Sequence, residues 1–118
     1  MKKIICLIIL LLPLSSFAKT CADGGNVYDD LACADRALDS SKRDLNEIYK
    51  KIYASTQYKD EFEQSQKAWL NYREKQCNGY IAAEASQSQG AGSGLITKGC
   101  LVAITKQRVD YLKTLLEK

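Results

Sequence analysis

Residues 31–52 read LACADRALDSSKRDLNEIYKKI. Leu31, Ala34, Leu38, Leu45, Ile48, Tyr49 and Ile52 recur at steps of three, four and seven, which places them on one face of a helix. A strand would need strict alternation, and this stretch has none. Asp39/Arg43 and Glu47/Lys51 stand four apart with the acid first, the order that supports a helix on its wet side. Asp29 or Asp30 is the expected N-cap. The first helix is therefore expected from Asp30 to about Ser55.

Beyond it, Ser55-Thr56-Gln57-Tyr58 reads as a break, and Asp60 with Glu63 has the spacing of a capping box. Phe62, Gln66, Trp69, Arg73, Cys77 and Tyr80 form a second stripe, so a second helix is expected from Asp60 to Ala83. Residues 86–94, SQSQGAGSG, have the composition of a flexible loop. Ser93 is placed to cap a third helix with the face Leu95, Leu101, Ile104, Arg108, Tyr111, Leu112 and Leu115, ending near Leu116. Three amphipathic helices on short connections predict an all-α, antiparallel three-helix bundle.

On the N-terminal side the chain changes character. Lys2 and Lys3 precede the apolar run Ile4–Leu12, and Ser16 and Ala18 put small residues before a cleavage point. This pattern predicts a signal peptide over 1–18, a domain over 19–118 and a periplasmic or secreted protein. The run is short for a membrane span. Cys21 follows Lys19-Thr20, not a small-residue lipid-attachment box, so no membrane anchor is expected after cleavage. Removing Lys2 and Lys3 from the 17 basic residues leaves 15 against 14 acidic ones, a formal charge of +1. Such a balance has no basic stripe for nucleic acid.

Cys21, Cys33, Cys77 and Cys100 remain after the signal segment. An even count in a small exported chain implies two disulfides, with three possible connectivities. The hairpin favours Cys77–Cys100, because the late second helix faces the early third; Cys21–Cys33 then pins the lead-in loop to the first helix. Spacings of 12, 44 and 23 lack the close pairs of a thiolate zinc site, so no metal or cofactor is expected. The chain has no His at all. That removes Ser-His and Cys-His nucleophile pairs and His general bases. Carboxylate-pair hydrolysis would have to use Glu61, Glu63, Glu74 and Glu84 of the second helix, and a bundle this small rarely offers the cleft. No catalytic residue is assigned.

Several segments form a pattern: Leu45-Asn46-x-x-Tyr49, then Gln66-x-x-Trp69-x-x-Tyr72-Arg73-x-x-x-Cys77, then Gly99-Cys100-Leu101 and Thr105-x-x-Arg108-x-x-x-Leu112. In this order they resemble the lysozyme inhibitor LprI-like family, over Cys21 to Leu116. The resemblance implies an exported helical domain with paired Cys. For some members it implies binding and inhibition of lysozyme. A protein partner, lysozyme or another cell-wall hydrolase, is the expectation that follows. A periplasmic interaction or immunity module for a different toxin or envelope protein is the alternative.

The residues themselves suggest roles. Trp69 is expected as a core anchor, and Tyr49 and Tyr72 as rings in the core with hydroxyls at its rim. Arg73 and Arg108 share stripes with apolar neighbours, and a buried Arg must be paired or reach water. A polar network joining Asn46, Arg73 and Arg108 across the helices is the expectation, with Asp39 as a charged alternative partner. Thr105 is placed to bond back to a helix carbonyl. Asp23, Asp29, Asp30 and Asp35 form an acidic lead-in. It reads first as charge matched to a helix N-terminus. A second reading is a docking patch for a basic protein, and a third is calcium, without the EF-hand spacing. Lys98, beside the Gly-Ser loop, is a candidate charge for a carboxylate-lined cleft.

Overall fold

The computed structural model describes residues 21, 26–87, 90 and 92–118. Four helices and one π-helical segment make three rods, with no strand among the described residues: α1 (Val27–Ser55), α2 (Lys59–Glu74), the π segment (Lys75–Ile81), α3 (Ala82–Ala85) and α4 (Gly92–Leu116). Backbone at both junctions of the π segment stays in the right-handed helical region, so α2, the π segment and α3 run on as one rod. The segment expected to be cleaved, residues 1–18, and Asp23 lie outside the described residues.

α1 begins at Val27, three residues before the expected Asp30. Asn26 is the N-cap; its Oδ1 accepts from the Asp29 amide (3.0 Å) and its Nδ2 donates to Asp29 Oδ2 (3.0 Å). Asp29 and Asp30 therefore sit inside the first turn, where their charge suits the amide end of the helix, and neither is the cap. At the other end α1 has no basic residue in its last turn. Lys59, from across the turn, supplies the charge by donating to Tyr53 O (2.7 Å) and Thr56 O (2.8 Å). α2 is capped by backbone alone, Phe62 N–H donating to Tyr58 O. The expected Asp60/Glu63 capping box does not form, because helix starts at Lys59 and Asp60 already lies in its first turn.

Paired contacts set the topology. Leu31 meets Gly94, Asp35 pairs with Lys98, and Ile48 lies beside Val109, so α1 and α4 run parallel. α2 runs against both: Phe62 stacks on Tyr49 with centroids 5.1 Å apart, and Arg73 reaches Thr105. The result is an up-down-up bundle. Its core is Leu45, Ile48 and Ile52 of α1 with Val109 and Leu112 of α4, covered by Phe62, Trp69 and Leu115.

Both disulfides join the cysteines that the hairpin favoured, Cys21–Cys33 and Cys77–Cys100, each with Cα atoms 5.5 Å apart, well inside the span a disulfide bridges. Cys77 sits in the π segment with no exposed surface. Gly90 precedes α4 at φ 70°, a left-handed turn that favours Gly.

Two assignments along the stripes differ from the expectation. α4 turns Thr105, Val109 and Leu112 inward, and Tyr111 is 55% exposed. The helix carries apolar residues round most of its circumference, so a stripe through Arg108 and Tyr111 looked equivalent. Tyr72 is 54% exposed and is no core ring. At about 100° per residue it lies roughly a quarter-turn from the line through Phe62, Gln66, Trp69 and Arg73.

Candidate functional site

Trp69 is partly buried against the α1–α4 core. Helical spacing brings Arg73 one turn on, and the up-down-up packing brings Arg108 from α4. The Arg73 guanidinium carbon lies 5.1 Å from the Trp69 ring centroid, and that of Arg108 5.6 Å. Arg108 also lies 5.8 Å from the Tyr111 ring. Cations within about 6 Å of an aromatic face are attracted by its quadrupole. Arg73 Nη1 donates to Thr105 Oγ1 (3.0 Å). Arg108 Nε donates to Gln66 Oε1 (3.1 Å), and its Nη2 to Ser65 Oγ (3.3 Å). Thr105 is fully buried and Gln66 buried, so each guanidinium satisfies a polar group that would otherwise be stranded.

Arg73 and Arg108 both lie over the Trp69 ring, and neither hydrogen-bonds to Asn46. Asn46 is exposed on α1, and the hydrogen bonds of the two arginines go to Thr105, Gln66 and Ser65. Asp39 is exposed as well. The Thr105 hydroxyl meets α2 through Arg73, where a bond back along its own helix was expected. Gln66 was legible as a member of a stripe and Thr105 as a motif residue, but neither as an acceptor across helices, because such pairing depends on register that one helix's periodicity does not carry.

The electrostatics are unusual. Among the described residues the ion pairs are Lys67–Glu63 (3.4 Å) and Lys98–Asp35. Neither includes Arg73 or Arg108. Burial pushes the pKa of both guanidinium groups down; Glu74 opposes this for Arg73 and Tyr111 for Arg108, each more weakly. Two cations thus share one ring with neutral acceptors as their hydrogen-bond partners.

Beside Arg73 a groove of about 390 Å³ opens between α1 and α2. Lys42, Leu45, Asn46 and Tyr49 form its α1 wall; Gln66, Leu70 and Arg73 belong to its α2 wall. The Glu63–Lys67 pair also borders it. Burial and the nearby Glu63 push the Tyr49 phenol up from its usual pKa. Lys42 and Leu70 were not singled out from the sequence. Lys42 stands one turn before Leu45 and Asn46, which was the available signal.

The acidic lead-in has structural employment. Asp29 is tied to Asn26, Asp30 is buried, and Asp35 is paired with Lys98 between α1 and α4. Two of the proposed contact residues, Asp35 and Lys98, therefore neutralise each other. Among the described residues no group of three or more His, Cys, Asp or Glu could hold a metal ion, and no helix is long and apolar enough to cross a membrane.

Comparison with known proteins adds the family. An uncharacterized protein of Rhizobium meliloti (strain 1021) is 27% identical over 100 residues, covering 72% of this chain and 70% of that protein. No solved structure matches. A family model described as lysozyme inhibitor LprI matches residues 20–112, a span that takes in both disulfides, the Trp69 cluster and the groove. On that match, the chain belongs to the lysozyme inhibitor LprI family.

Proposed function

We propose that this protein is exported and binds and inhibits a lysozyme-type cell-wall hydrolase. The observation that carries the reading is the family match over residues 20–112, nearly the whole of the helical domain. Two disulfides suit an oxidising compartment, and the basic-apolar-small pattern of residues 2–18 suits export. A bundle stapled by two disulfides at one end keeps its surface preorganised, which reduces the ordering cost of binding. The protein acts by contact and catalyses nothing. Titrating the oxidised protein into lysozyme in a calorimeter tests the reading. A saturable one-to-one heat supports it. Absence of any binding heat, with a pull-down from an envelope extract giving a different dominant partner, would replace it with the interaction-module alternative.

A further inference from the structure

The groove between α1 and α2 combines two features that point to one ligand chemistry. Its walls are apolar at Leu45, Tyr49 and Leu70, and Arg73 and Lys42 add positive charge. The Glu63 carboxylate on its border is engaged by Lys67. Arg73 is half-buried, is held in place by Thr105 and Trp69, and keeps further guanidinium N–H donors beyond the one given to Thr105. A planar fork of donors fits a carboxylate in bidentate fashion. A guanidinium drawn partly out of water is best stabilised by an opposite charge. Here Arg73 is matched by a neutral hydroxyl, and a second guanidinium shares its ring. An incoming negative charge would relieve both.

Building on the reading that the chain works by binding a protein, we propose that this groove docks an acidic side chain of the partner. Arg73 and Lys42 take the carboxylate, and Leu45, Tyr49 and Leu70 take an apolar residue beside it. Asn46, exposed on the same wall, offers an amide to the partner's backbone. The apolar walls favour a protein segment over a sugar acid or free phosphate, which would want polar lining in their place. Leu45, Asn46, Tyr49, Gln66 and Arg73, from two of the segments that carry the family resemblance, converge on this one feature.

The test is a nitrogen-15 NMR titration of the oxidised protein with the capped peptide acetyl-Gly-Leu-Glu-Leu-Gly-amide, its Gln counterpart, and inorganic phosphate. The Arg73 Nε–H and Trp69 indole resonances are followed. Saturable shifts confined to the groove are expected with the Glu peptide, with binding about tenfold weaker for the Gln peptide. Arg73→Gln should weaken the Glu peptide about tenfold, and exposed Lys42→Gln, which leaves the core untouched, about threefold. Equal binding of the two peptides, shifts elsewhere, no binding, tighter binding of phosphate at these residues, or an unchanged affinity in Lys42→Gln would each overturn the proposal. The titration contains no lysozyme. Peptide binding without binding to lysozyme fails only the proposed function; lysozyme inhibition that survives both substitutions fails only the groove.

Discussion

Trp69 and Tyr72 are three residues apart on the same rod, and the structure gives them opposite duties. Trp69 covers the core and carries two guanidinium groups; Tyr72 faces water. Trp69→Ala should cost about 3 kcal/mol, the low end for losing a large aromatic because the ring is partly exposed. Tyr72→Ala should stay within about 0.5 kcal/mol of the parent. Urea unfolding followed by circular dichroism reads both. The sequence did not separate them, because a Tyr has an apolar body and a polar tip and fits a rim as well as a core. Leu45, Ile48 and Ile52 were legible, since a purely aliphatic side chain has one favourable place. Arg73 and Arg108 were legible as misfits on apolar stripes. Their acceptors were not, because Thr105 and Gln66 become partners only once two helices are set in register.

The ends of α1 are set by single polar groups more than by the apolar pattern. Asn26 starts α1 ahead of two aspartates that seemed better placed, and Lys59 closes it from outside. Asn26→Ala should lower stability by about 1 kcal/mol, the usual loss for an N-cap, with no change in the slope of unfolding against urea. The periodicity located each rod but not these ends, because capping depends on a few dihedral angles at one residue. The inner face of α4 was the least legible element. Val109 and Arg108 are adjacent, and a helix apolar on several sides has no unique stripe until α1 and α2 cover two of them. The Asp35–Lys98 pair shows the same dependence: two charges read as separate surface features turn out to join parallel helices. Being exposed, the pair should contribute no more than about 0.5 kcal/mol in a double-mutant cycle.

Taken as a whole, the molecule is a small bundle whose core is completed by covalent staples at the end where α1 and α4 begin. The all-α class, the order of rods and both disulfide pairs followed from helical spacing and from which helix ends a hairpin brings together. Replacing Cys77 and Cys100 by Ser opens a loop of 23 residues and should cost about 3 kcal/mol, by the chain-entropy account of disulfides. The lost stability should appear as a lower midpoint in urea under otherwise identical conditions. Such a domain has the rigidity for contact work, and its family is one of inhibitors. The most direct measurement is the rate at which lysozyme clears a suspension of bacterial cell walls, with the oxidised protein added in increasing molar ratio. The expected result is a saturable fall in the clearing rate that disappears when both disulfides are reduced. An unchanged rate at large molar excess of correctly oxidised protein would contradict it.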